Sequence, residues 1–293
     1  MLKGIIVVDK PQGFTSHDVV AKIRGIIRQR SVGHSGTLDP MATGVLPVFV
    51  GRATRAVDFL SQSDKEYIAT VRLGITTDTY DITGQTLAQS ADIPPKEQVL
   101  EAVQSFFGEI DQRVPAYSAV KIDGQKLYSL ARKGKTIDLP VRRVHIKELE
   151  VTEFPAPDQF TMRVYCSKGT YIRSLAHDIG QKLGCGAALS GLVRTKAGCF
   201  DITQAVTLEQ IAQGIGVQEL GFVKPLDSLF AQYDRVDIDT NSEKICKNGA
   251  AVPWPGGIQG AQYRVYSQQT GEFLALCRYD DDSLVTIKNF FEV

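Results

Sequence analysis

Residues 33–44 read Gly-His-Ser-Gly-Thr-Leu-Asp-Pro-Met-Ala-Thr-Gly. Glycines, a proline and small hydroxyl residues surround one carboxylate, Asp39. Glycine costs entropy inside a helix or strand, and proline lacks a backbone donor. The stretch therefore reads as a tightly turned loop. Leu46, Val48 and Val50 follow on alternate positions, as in a strand that anchors the loop to a sheet. A polar loop on a rigid scaffold is where chemistry tends to sit. The same composition also suits a structural turn in which Asp39 caps neighbouring amides.

Motifs that the chain lacks narrow the chemistry. There is no G-x-x-x-x-G-K-S/T phosphate loop and no G-x-G-x-x-G opening a helix. The H-E-x-x-H and G-x-S-x-G patterns are missing as well. Cys166, Cys185, Cys199, Cys246 and Cys277 are scattered without a C-x-x-C pair. No metal site is expected from them, and they read as buried apolar residues in a reducing compartment. Chemistry at Asp39 would run without metal or redox cofactor.

The 293 residues, 43% of them hydrophobic, are enough for a large domain plus a small one. The chain enters a strand-like run at Gly4-Ile5-Ile6-Val7-Val8 with no signal-peptide pattern, and no apolar stretch approaches a membrane span. A cytoplasmic protein is expected. Basic and acidic residues balance at 33 each, but unevenly along the chain. Residues 1–60 carry eight basic and four acidic side chains, and residues 121–143 carry seven and two. Residues 233–293 carry six and nine. Local basic faces can bind a polyanion on a neutral protein, although charge alone equally describes a solvated surface.

Strand signals fall at 4–9, 46–51, 66–73, 117–122, 143–152, 160–166 and 189–195, with helix signals at 16–28, 95–107, 125–133, 171–183 and 207–213. Val19, Val20, Ile23, Ile26 and Ile27 form one stripe, with Ser16 able to cap the start. Val99, Val103, Phe106 and Phe107 form a second stripe, and Ile172, Leu175, Ile179 and Leu183 a third. The irregular, hairpin-like spacing predicts an α+β fold with a mixed, largely antiparallel sheet and flanking helices. Strand signals at 262–267, 272–278 and 283–287 predict a small β-rich C-terminal domain, dividing the chain into 1–232 and 233–293.

Two other segments could share a site with Asp39. Lys65-Glu66-Tyr67 opens a strand and offers the Tyr67 ring and hydroxyl. Residues 166–173, C-S-K-G-T-Y-I-R, lead into a helix and present Tyr171 and Arg173 near its start. A cation there opposes the helix dipole, so Arg173 wants a carboxylate partner. Taken singly, Arg173 also suits an exposed surface and Tyr67 an amphipathic core position.

Together these segments resemble the TruB family of tRNA pseudouridine synthases. The 33–44 stretch is similar to that family's catalytic motif. So are V-D-K-P-Q-G at 8–13, D-K-E-Y at 64–67, R-L-G-I-T-T-D-T-Y-D at 72–81, P-A-Y-S-A-V-K at 115–121, G-Q-K-L-Y-S-L-A-R at 124–132 and C-S-K-G-T-Y-I-R-S-L at 166–175. The matches keep their order over residues 4–230.

The resemblance implies a redox-neutral isomerisation of uridine 55 in the tRNA T-arm, with no cofactor. It implies that Asp39 acts at ribose C1′, that Arg173 is its ion-pair partner, and that Tyr67 stacks on the target base. Asp81 is implied as a support of the pocket, and Tyr171 and Leu192 as apolar walls. His34 would hold a flipped conformation by filling space in the T-loop. The stretch 121–143 corresponds to an RNA-clasping insertion, whose Lys121, Lys126, Arg132, Lys133, Lys135, Arg142 and Arg143 would meet phosphates. Residues 233–293 occupy the place of a PUA domain, a small RNA-binding module, but are short and acidic. The partner implied is tRNA, bound by a monomer away from any membrane. A tRNA-folding chaperone is the alternative. A guide-RNA-dependent relative would carry Lys-rich extensions that this chain lacks, and a glycoside hydrolase would need a second catalytic carboxylate.

Overall fold

A computed structural model describes residues 1–118, 120–122, 124–128 and 138–291 of the chain, with only the backbone of Lys121, Ile122 and Lys126. Arg132, Lys133 and Lys135 lie outside the described residues, as does most of the helix expected over 125–133.

The chain starts with strand β1 (Gly4–Lys10), helix α1 (Ser16–Ile27), β2 (Val32–His34) and β3 (Thr43–Val50). Helix α2 (Val57–Ser61), β4 (Lys65–Leu73), the hairpin of β5 (Ile75–Thr77) and β6 (Thr86–Gln89), helix α3 (Lys96–Gln104) and β7 (Gly108–Arg113) follow. Next come the short pair β8 (Lys121–Ile122) and β9 (Gln125–Lys126), then β10 (Val141–Ala156) and β11 (Gln159–Cys166). Helix α4 (Ile172–Leu183), β12 (Ala187–Ala197), β13 (Phe200–Asp201), helix α5 (Leu208–Gly216) and β14 (Val223–Lys224) complete the first sheet and its helices. Among the described residues this sheet has ten strands, ordered β14-β1-β3-β12-β4-β11-β10-β7, with β2 on β3 and β13 on β12. Its pairings are antiparallel except β3 with β12, which is parallel at Val193↔Thr43. The mixed, largely antiparallel sheet with flanking helices agrees with the sequence pattern.

Burial explains where that pattern is too simple. Every residue of Gly44–Val50 is buried, not only alternate ones. Val45 and Phe49 point into one core with Ile5 and Val7, while Leu46, Val48 and Val50 point into another with Ile6 and Val8. Strands covered on both faces read as continuous apolar runs. In α1, Val19, Val20 and Ile23 are buried against the second of these cores. Each such side chain contributes roughly 1.5–3 kcal/mol by leaving water. The helix is capped by Thr15, not Ser16: Thr15 and Asp18 form a reciprocal capping box. Ser16 is buried, and its hydroxyl binds the Leu38 backbone instead. Helix α3 stops at Gln104, which leaves Phe106 half-buried and Phe107 exposed. The strand expected at 117–122 is reduced to Lys121–Ile122. Cys199 is exposed, unlike the other four cysteines.

A second sheet has the order β15-β17-β18-β19-β16, from β15 (Asp234–Ile238), β16 (Val252–Pro253), β17 (Gln262–Ser267), β18 (Phe273–Asp280) and β19 (Ser283–Asn289), with helix α6 (Thr240–Lys247) beside it. The three strands expected here are present. Phe273 and Phe290 stack at 5.2 Å and Phe230 lies 5.8 Å from Phe290, in a core shared with Ile5, Val7 and Phe49 of the first sheet. Among the described residues no helix is long and apolar enough to cross a membrane.

Candidate active site

The segment between β2 and β3 is pinned from below by three buried polar side chains. Ser16 Oγ accepts from Leu38 N at 2.9 Å and lies 3.2 Å from Leu38 O. Lys10 donates to the carbonyls of Pro11 at 3.0 Å, Phe14 at 2.5 Å and Pro40 at 3.4 Å. Arg194 donates to Val45 O at 2.7 Å and Gly36 O at 3.0 Å. Buried cations need such partners. Burial pulls the Lys10 ammonium down to about 8, with nearby Asp39 opposing the shift. Gly44 is required where the loop meets β12: its φ is +95°, and a Cβ there would lie 2.3 Å from the Arg194 carbonyl oxygen. Gly33 and His34 belong to β2, so the loop itself is shorter than its composition suggests.

Held this way, Asp39 stays 38% exposed while Arg173 is 5% exposed. Arg173 Nε lies 2.8 Å from Asp39 Oδ2. The N–H is not aligned on that oxygen, so the contact is an ion pair by distance without a hydrogen bond along it. Arg173 also donates to Thr79 O at 3.0 Å and Tyr117 O at 2.9 Å, and its Nη1 lies 3.8 Å from Asp81 Oδ2. The opposition between this cation and the α4 dipole is thus answered by two carboxylates and two carbonyls.

A cleft of about 640 Å³ opens over these groups. Its lining includes Asp39, Tyr67, Tyr171, Arg173 and Leu192. Tyr67 lies in β4, in register with Val164 on β11 and Arg194 on β12. Burial raises its phenol above the ordinary value, with the nearby Arg194 cation opposing the shift, so the hydroxyl stays protonated. Tyr171 occupies the N-cap position of α4 without a side-chain capping bond, and donates its backbone N–H to Gln112 Oε1 at 2.7 Å.

His34 and Asp81 are not part of this lining. The His34 ring meets His17 edge-on at 5.2 Å, and burial, followed by His17 and Arg194, pulls its imidazole down to about 4. Asp81 is buried, and its Oδ1 accepts from Thr79 Oγ1 at 2.8 Å, Thr83 N at 3.0 Å and Thr83 Oγ1 at 2.5 Å. Arg142 and Arg143 are exposed on β10, and Arg143 pairs with Glu109 at 2.9 Å. Lys121 and Lys126 are backbone register partners in the short β8–β9 pairing. The supporting cations Lys10 and Arg194 escape sequence reasoning as site residues. Lys10 lies in the V-D-K-P-Q-G stretch, whereas a single arginine within β12 gives no sequence signal.

Residues 24–172 match the TruB family pseudouridylate synthase N-terminal domain, and residues 173–231 match the tRNA pseudouridylate synthase B C-terminal domain. The tRNA pseudouridine synthase B of Clostridium tetani is 46% identical over 252 residues, covering 86% of each chain. That of Francisella philomiragia is 42% identical over 294 residues, covering 99% of this chain and 95% of its own. A chain in an H/ACA RNP bound to a substrate RNA containing 2′-deoxyuridine superposes with a TM-score of 0.73 at 27% identity, covering 99% of this chain and 85% of that one. A chain in a Cbf5-Nop10-Gar1 complex gives 0.73 at 30% identity, covering 98% and 85%. The fold is that of the pseudouridine synthases, and the chain belongs to the TruB family, as a tRNA pseudouridine synthase.

Proposed function

We propose that the enzyme isomerises uridine 55 in the T-arm of tRNA and that Asp39 is the catalytic carboxylate. The observation that carries this reading is a half-exposed carboxylate held 2.8 Å from a buried arginine, in a cleft it shares with Tyr67. In the reaction the C1′–N1 bond breaks, the base turns, the C1′–C5 bond forms, C5 loses its proton and N1 gains one. A carboxylate beside C1′ can attack it or stabilise its positive charge, as in glycoside chemistry. Arg173 aims that carboxylate. Tyr67 offers its ring to the flipped base. The neutral His34 ring suits insertion in the space that the base leaves. A folding chaperone would not need the Asp39–Arg173 pair.

The enzyme is read as a cytoplasmic one, in keeping with a tRNA substrate. Residues 1–232 would carry catalysis, with 233–293 a small RNA-binding unit of PUA type. The second sheet supports that placement, and its acidic charge argues for a weak RNA contact.

The test is turnover of an isolated, unmodified T-arm stem-loop. Asp39, Arg173 and Tyr67 supply charge, aim and stacking from the chain itself. Turnover is therefore expected in excess chelator, with no nucleotide or reductant. The stem-loop removes the complication that tRNA folding uses magnesium. Activity lost to chelator and restored by zinc would contradict this reading.

The stretch 121–143 makes a second expectation. If its cations neutralise phosphates, affinity falls with salt at about −0.7 to −0.9 per contact. Replacing Lys126, Arg132 and Lys133 with Ala should flatten that slope by about two to three units and leave turnover at saturating tRNA nearly unchanged. Binding titrations at several salt concentrations measure it. An unchanged slope would return the stretch to an ordinary solvated surface.

A further inference from the structure

The segment that holds Arg173 contains a strained residue. Tyr80 has φ +64°, in the left-handed region where a bulky side chain is an outlier. Such a conformation persists only where its surroundings over-determine it, and functional sites are where that tends to occur. Two sets of contacts hold it. On the backbone, Leu189 N donates to Tyr80 O at 3.0 Å and Ile82 N donates to Leu189 O at 3.0 Å, tying the turn to β12. On the side chain, the ring stacks on His177 with centroids 3.9 Å apart and planes 16° apart.

His177 lies one helical turn after Arg173 on α4, and residues four apart share a helix face. The neighbours of Tyr80 are the residues that grip Arg173. Thr79 offers its carbonyl at 3.0 Å, and Asp81 its carboxylate at 3.8 Å. The turn 79–81 therefore meets α4 at two points on one face: a polar clasp on Arg173 and an aromatic clasp on His177. Tyr80 is not part of the cleft lining, so it does not meet substrate there.

We propose that Tyr80 is a positioning residue. Its stack on His177 sets the register of the turn on α4, and thereby aims Arg173 at Asp39. This rests on the reading of Asp39 as the catalytic carboxylate. The stack can be separated from the strain, because glycine at position 80 accepts the left-handed backbone without steric strain but has no ring. If the conformation mattered only to folding, Tyr80→Gly would leave the rate of the folded enzyme unchanged. If the stack positions Arg173, that variant loses rate.

The experiment is single-turnover conversion of unmodified tRNA at saturating enzyme, with tRNA affinity measured alongside. Tyr80→Gly and His177→Ala are each expected to lower the rate about ten- to a hundredfold, the scale of a misplaced aiming contact, with affinity within about twofold. Tyr80→Phe keeps the ring and should restore the wild-type rate. The double variant Tyr80→Gly with His177→Ala should be no slower than either single, because both remove the same contact. Thermal melts identify a variant that fails to fold, in which case the other single variant carries the test. Wild-type rate in Tyr80→Gly, or in His177→Ala, overturns the proposal. Asp39→Asn is run beside them. Full activity there would overturn the catalytic reading itself, whereas an inactive Asp39→Asn with a fully active Tyr80→Gly would overturn only the role of the stack.

Discussion

Asp39→Asn is expected to lower turnover by at least ~1,000-fold, the scale of losing a covalent or electrostatic catalyst, with tRNA binding largely kept. Asparagine keeps the shape of the side chain and removes its charge. The loop should stay in place, because its anchors are Ser16, Lys10 and Arg194 acting on backbone groups of Leu38, Pro40 and Gly36. Arg173 also keeps partners in Thr79, Tyr117 and Asp81. The loss is therefore chemical and not structural. Single-turnover rates and a binding titration on the same tRNA separate the two. Appreciable turnover by this variant would remove Asp39 from the chemistry.

Arg173 is expected to show two different defects in two variants. Arg173→Ala leaves the buried Asp81 carboxylate without its cation. Breaking a buried pair by removing one partner costs about 3–5 kcal/mol, and the three hydrogen bonds from Thr79 and Thr83 should keep this case near the low end. Arg173→Lys keeps the charge but loses the planar fork. One ammonium cannot serve Asp39, Asp81 and two carbonyls in the directions a guanidinium does. The lysine variant should fold nearly as well as wild type yet turn over at least ~100-fold more slowly, because Asp39 is no longer aimed. The alanine variant should lose both stability and rate. Thermal melts with turnover assays distinguish the two defects. Wild-type turnover in Arg173→Lys would show that charge alone suffices.

Much of the fold and part of the site are legible in residue type and spacing. The stripe of Val19, Val20 and Ile23, the alternation through Phe160, Met162 and Val164, and the glycine-rich run around Asp39 each state their environment in that way. Strands buried on one face announce themselves by alternation. β3 also shows it at Leu46, Val48 and Val50, but that alternation marks only one of two covered faces, and the full apolar run is continuous. β15 and α6 give no signal, because Asp234–Ile238 and Thr240–Lys247 are short and rich in charged or polar residues. At the candidate site, a cation at a helix start asks for a carboxylate partner, and Arg173 meets Asp39. Residue type alone equally allows a structural turn at Asp39 and a surface position at Arg173, and the family resemblance is what singles them out. Lys10 and Arg194 are not readable as site residues. Their partners are backbone carbonyls, which every residue carries. The strain at Tyr80 depends on a dihedral angle imposed by β12 and α4, and no residue type encodes that.

The most direct measurement is incubation of an unmodified tRNA transcript with the enzyme, followed by mapping of pseudouridine at single-nucleotide resolution. The expected result is one pseudouridine at position 55 with the wild-type enzyme and none with Asp39→Asn under the same conditions. Pseudouridine at another position with uridine 55 untouched, or equal yields from the two enzymes, would contradict the account.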